Sequence, residues 1–143
     1  MPRVLMTPPK WWREPFVGSR DAAMICEVKW ETLKSWQRLA PQPLGVVEMN
    51  RRLFSLHDLY QLAIISVMHS MSRMRCQQTF GMAHEMTHAG HVPRPPYRGE
   101  TVQITPAGIV GPNTPRVGGY VEIPLSKLWE EILRRVESGR VDV

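Results

Sequence analysis

The chain has 143 residues, of which 43% are apolar, and carries a formal charge of +5. That is room for one modest domain, or a smaller one with arms, and a core of this size holds without staples. The charge suits an anionic partner such as nucleic acid. No apolar run approaches the length of a membrane span. The first sixteen residues, MPRVLMTPPKWWREPF, contain no continuous apolar stretch of the kind a signal peptide needs. Two cysteines, Cys26 and Cys76, fall in apolar helical patterns and read as reduced, buried thiols. A soluble, cytoplasmic protein is expected.

Residues 1–16 form a proline-rich arm bearing Lys10, Trp11, Trp12 and Arg13. Tryptophan pairs are unfavourable in water, so they are expected to pack on the domain rather than on an outside partner. The stretch Asp21 to Trp36 reads as two short helices with a tight turn. Asp21 is placed as the N-cap of Ala22-Ala23-Met24-Ile25, and Cys26-Glu27-Val28 breaks the run. A second helix covers Lys29 to Leu39. Ala23, Ile25, Val28, Leu33 and Trp36 can bury together, as the two helices of a helix-turn-helix must.

Ala40-Pro41-Gln42-Pro43-Leu44-Gly45 cannot continue a helix. Val46 to Phe54 reads as a short hairpin with Asn50 in the turn and Arg51 and Arg52 at or just past the tip. A small arginine-bearing hairpin in this place has the form of a wing, which would contact phosphates beside the groove entered by the second helix. Ser55, with Asp58 three residues on, caps a helix from Leu56 to Met71 that is apolar nearly all round. Ser72 is expected to cap a fourth helix running to about His88. The Pro- and Gly-rich stretch 90–119 reads as a connector with one extended piece, Glu100 to Thr105. Tyr120 to Ile123 is a second strand able to pair with it. Pro124 opens a last helix, Leu125 to Val136, with Leu125, Leu128, Trp129, Ile132 and Val136 on one face. So short a helix must pack on the domain or on a second copy.

Asp21-Ala22-Ala23, Thr32-Leu33-Lys34-Ser35-Trp36 and Arg52-Leu53-Phe54-Ser55 followed by Asp58-Leu59 stand in this order over residues 18–88. In this the chain resembles the winged helix-turn-helix domain of the MerR-like DNA-binding family. The likeness implies sequence-specific binding of double-stranded DNA by a homodimer joined through its C-terminal helix. Lys29, Trp30, Glu31 and Thr32 would then face base edges, and Lys34, Arg38, Arg51 and Arg52 phosphates, with Ser35 and Asn50 at the same surface. Glu27 stands where the family's turn has a glycine, Glu31 where it commonly has an arginine, and Ser35 where it commonly has a tyrosine. Winged domains of this family also serve phage DNA packaging and recombination, where DNA is held for assembly, so a packaging or recombination accessory protein is the alternative. A further one is a domain turned to protein contact.

His84-Glu85-Met86-Thr87-His88 satisfies HExxH, in which two imidazoles one helical turn apart hold zinc and the glutamate activates its water. A small zinc metallopeptidase is thus a fourth reading. Gly90 and His91 follow too early for the extended form of that motif, and no downstream glutamate stands in a fitting context. His84, Glu85 and His88 are accordingly expected to be surface residues near a helix end, in a protein that is not an enzyme and holds no metal or cofactor. The expected fold is mostly α: a four-helix winged helix-turn-helix core (17–90) behind the arm, the connector (91–119), and a small C-terminal strand-plus-helix appendage (120–143).

Overall fold

The computed structural model describes residues 3–71, 74–105, 108–111 and 119–141. In chain order the elements are β1 (Val17–Gly18), α1 (Ser19–Ile25), α2 (Trp30–Leu39), β2 (Val46–Glu48), β3 (Arg51–Phe54), α3 (Leu56–Met71) and α4 (Cys76–Thr87), then β4 (His88–Ala89), β5 (Val92–Pro93), β6 (Val102–Thr105), β7 (Gly108–Ile109), β8 (Val121–Ile123) and α5 (Leu125–Val141). The strands form three small antiparallel sheets, ordered β1-β3-β2, β4-β5 and β7-β6-β8. Helix makes up 48% and strand 19% of the described residues, so the molecule is mixed α and β, with five helices, and not a mostly helical four-helix core. The unforeseen strands, β1, β4, β5 and β7, are two residues each. A period of two cannot show itself in so short a segment.

Helix α3 is the centre. Ser55 and Asp58 close a reciprocal cap at its start: the Ser55 amide donates to Asp58 Oδ2 at 2.9 Å and the Asp58 amide to Ser55 Oγ at 3.1 Å. Such a cap contributes about 1 kcal/mol. Ten of the helix's sixteen residues are buried, on every side of it, because α4 packs along one flank and α5 along another. Arg75, not Ser72, is the N-cap of α4; Ser72 itself lies outside the described residues.

The C-terminal strand and helix are not an appendage. Leu125, Trp129, Ile132 and Val136 are buried in the same core as Leu59, Tyr60 and Ile64. The Trp129 ring meets Tyr60 edge-on at 5.2 Å. Each such side chain gains roughly 1.5–3 kcal/mol on leaving water, which draws an amphipathic helix onto the nearest apolar surface, here α3. β8 reaches back to pair with β6, Val102 opposite Ile123 and Ile104 opposite Val121. The two extended pieces expected from sequence thus meet in one sheet. At the other end of the chain, Trp12 lies edge-on to both Trp129 (6.0 Å) and His57 (5.5 Å), and its carbonyl accepts from the His57 amide at 3.1 Å. The arm's tryptophans are therefore part of the packed domain.

Candidate nucleic-acid interface

The first helix starts earlier than expected. α1 begins at Ser19 with Gly18 as N-cap, and Asp21 sits inside its first turn without capping it. An Asp before two alanines is a normal cap signal, but pairing of Val17 and Gly18 with β3 delivers the chain to the helix three residues sooner. The helix ends in a Schellman motif: the Val28 amide donates to Ala23 O at 2.8 Å and the Glu27 amide to Met24 O at 3.2 Å. Glu27 holds the left-handed position of that motif, at φ 56°, where glycine is the usual occupant.

What holds Glu27 there comes from the far end of the chain. Arg135 on α5 donates through Nη1 to the Ile25 carbonyl and through Nη2 to Glu27 Oε1 at 3.1 Å, while its Nε donates to Glu131 Oε1 at 3.0 Å. One guanidinium thus caps a free carbonyl at the end of α1 and pairs the carboxylate beside it. The thiol of Cys26, deep under the same turn, donates to Leu59 O at 3.3 Å, and burial pushes its pKa up, so it stays protonated.

Leu33 and Trp36 of α2 are buried, which leaves Glu31, Lys34 and Arg38 on the outer side and Trp30 facing the wing. The wing is the hairpin β2–β3, with Met49 and Asn50 at φ 49° and 64° in a type I′ turn. Its base is keyed to α2: Gln37 Oε1 accepts from the Leu44 amide at 3.1 Å, and Leu44 O accepts from Arg52 Nη1 at 2.9 Å. Gly45 completes the join at φ 83°, where an added Cβ would lie 2.7 Å from Leu53 O.

Between the start of α1, the start of α2 and the wing lies a 370 Å³ cleft lined by Gly18, Ser19, Arg20, Asp21, Trp30, Asn50, Arg51 and Arg52. The guanidinium of Arg20 lies over the Trp30 ring at 5.2 Å and the Lys34 ammonium lies over it at 5.5 Å, so the indole is a platform between two cations. Arg51 passes close over Gly18, where no side chain stands in its way.

The structure brings Trp30, Asn50, Arg51 and Arg52 together at this cleft. Lys29, the exposed N-cap of α2, and the exposed Lys34 and Arg38 continue the cationic surface along the helix. Thr32 and Ser35 are half-buried on its flank. Two assignments change. Arg52 is engaged with Leu44 O and holds the wing's base, which leaves Arg51 as the wing's exposed cation. Glu31 pairs with Lys34 at 3.2 Å, so its carboxylate is partly neutralised at the outer surface. Arg20 was missed, since reading Asp21 as the cap put Arg20 in the loop before the helix.

The HExxH segment has a different geometry from a zinc site. His88 is the C-cap of α4 in extended conformation, not a helical residue, and both histidines are half-buried. The two rings stack at 3.8 Å and 14°, with the His88 Nδ1–H donating to His84 O at 2.9 Å. Lone pairs in two parallel ring planes do not converge on one ion. Among the described residues no group of three His, Cys, Asp or Glu is arranged to hold a metal. The buried His57 sits against this pair at 4.9 Å from His88, its Nε2–H donating to Thr87 O at 2.8 Å, and burial lowers its pKa to about 4.

The chain matches no protein-family model, and no curated protein or solved structure is significantly similar to it. None of the helices among the described residues is long and apolar enough to cross a membrane. The apolar side of the C-terminal helix packs on the domain itself, with Leu125, Trp129, Ile132 and Val136 buried in the core.

Proposed function

We propose that the chain is a sequence-specific double-stranded-DNA-binding protein of the MerR-like winged helix-turn-helix kind, acting as a regulator. The observation that carries this reading is the continuity of Arg20, Arg51, Lys34 and Arg38 along the outer side of α2 and the wing, around the Trp30 platform. In it, α2 enters the major groove by its N-terminal residues, with Lys29, Glu31 and Thr32 toward base edges. Arg20, Lys34, Arg38 and Arg51 meet phosphates on either side. Glu31, paired with Lys34 through one oxygen, can accept from cytosine N4 through the other. Two copies on a palindromic site belong to this reading, but they meet through a surface other than the apolar side of α5. A regulator of this kind works in the cytoplasm, where Cys26 and Cys76 stay reduced.

The test is binding of the whole chain to duplex DNA across a salt series. Affinity is expected to fall steeply with salt, and sequences recovered from a random duplex pool are expected to share a palindrome. Salt-independent binding, or none at low salt, removes the proposal. A large ring in size-exclusion chromatography would favour DNA packaging over regulation.

A further inference from the structure

We propose that the cleft between the loop after α2 and helix α4 is a second binding site, which takes a small β-amino alcohol of the amino-sugar class through Gln61, Asp58 and Glu85. The inference stands apart from the duplex-binding reading, because this cleft shares no lining residue with the cationic one beside Trp30.

The cleft measures 500 Å³, a size usual for small-molecule sites. Pro41, Pro43 and Leu44 line it from the loop, and Phe80 and Gly81 from α4. Gly81 lies inside the helix, where glycine is less favourable than alanine. An added Cβ there would meet nothing, so packing does not require the glycine. What the missing side chain leaves is room in the cleft.

Gln61 is the residue that points to a ligand. It is only 5% exposed, it lines this cleft, and its side-chain amide has no hydrogen-bond partner among the described residues. Burying an amide without a partner is unfavourable. The groups around it are mostly acceptors. Asp58 spends Oδ2 on both Ser55 bonds, from the amide at 2.9 Å and the hydroxyl at 3.0 Å, and Oδ1 has no partner among the described residues. Glu85 is exposed and makes no ion pair among them.

His88 adds a further acceptor. The Thr87 hydroxyl gives its proton to Ala83 O at 2.8 Å, so Thr87 Oγ1 and His84 O both accept from His88 Nδ1–H. Its Nε2 therefore keeps a lone pair, and burial holds the ring below the ordinary histidine pKa. No lysine or arginine lines the cleft. An ammonium satisfies such a set of acceptors through charge-assisted hydrogen bonds. The NH₂ group of Gln61 needs an oxygen on the same molecule. A primary amine with a hydroxyl two carbons away supplies both, and its carbon skeleton lies against the prolines and Phe80.

The experiment follows the nitrogen-labelled full chain by NMR, with glucosamine as the probe and glucose as its match without the ammonium. The Gln61 NH₂ signal, identified by its loss in Gln61→Leu, is expected to shift with glucosamine, and glucose to bind roughly tenfold more weakly or less. Glu85→Gln is expected to weaken glucosamine by a similar factor. Gly81→Leu, which puts a side chain into the cleft, is expected to keep the melting temperature and abolish the shift. A Gln61 signal unmoved by glucosamine at tens of millimolar overturns the site. An equal response to glucose overturns the ammonium, and binding untouched by Gly81→Leu places the ligand elsewhere. None of these readouts involves DNA, so the duplex-binding reading stands or falls separately.

Discussion

Two clusters of polar side chains dominate this molecule, and they are built in opposite ways. At the histidine cluster, His57 and His88 spend their ring N–H groups on backbone carbonyls of α4, and the rings of His57, His84 and His88 pack on one another. At the cleft between α1, α2 and the wing, Arg20 and Lys34 lie over one indole, and Arg38 and Arg51 make no ion pair among the described residues. Charge left at the surface in this way is available to a partner, whereas hydrogen bonds closed inside the fold serve the fold. Of the motif that names chemistry, HExxH, the second histidine is tied to the fold by such a bond. The cationic cluster, which no short motif announces, lies at the surface.

This contrast makes changes at the histidines felt as stability and changes at the cleft felt as binding. The largest effect is expected from pH. The folded protein holds the His57 pKa at about 4 because burial disfavours its charged form, against about 6.5 when unfolded. The unfolded chain therefore binds the extra proton first. The stabilisation is full above about pH 6.5 and is lost as pH falls from there through 4, by on the order of 3 kcal/mol. Urea unfolding at a series of pH values reads it, and His57→Phe should flatten that part of the profile. A flat wild-type profile would mean that the cluster is open to water.

Arg135 tests how firmly α5 secures the turn after α1. Arg135→Ala removes the Ile25 carbonyl's partner and the Glu27 pair, and is expected to lower stability by about 1–2 kcal/mol in urea unfolding. The ion-pair part is the smaller share, because Glu27 is exposed. Glu27→Gly, which relieves the left-handed backbone while losing that pair, should raise the melting temperature slightly, a gain of less than about 1 kcal/mol. A drop instead would show that the pair outweighs the strain.

The smallest effect on stability is expected at the cleft itself. Arg20→Ala with Arg51→Ala should leave unfolding within about 0.5 kcal/mol of wild type. The same pair should reduce the slope of log affinity against log salt by about 0.9 for each phosphate that is no longer neutralised. Weaker folding without a change in salt slope would reverse the roles assigned to the two clusters.

Much of the local structure was legible because it depends on neighbours in sequence. Ser55 and Asp58 close their cap within four residues, and the turn at Asn50 is made by the residues that announce it. Leu33 and Trp36 lie on the same side of α2 by helical period alone. Arg20 was not legible, since its place over Trp30 depends on β1 delivering the chain to Ser19. Arg52 was readable as a wing arginine but not as the clamp on Leu44, which needs the loop from α2 folded beneath it. The histidine stack was hidden by its own motif: spacing puts two imidazoles one turn apart, and only the end of α4 at Thr87 turns the second ring onto the first.

By itself the sequence determined where most helices and turns fall, which faces are apolar, and that the wing carries arginines; these follow from periods and caps spanning a few residues. The tertiary structure decided that α5 belongs to the core, that Arg135 secures the turn at Glu27, and that Arg20 joins the cleft. Each of those joins residues far apart in the chain, and such contacts depend on which apolar surface is nearest once collapse has begun, a quantity that no local pattern encodes.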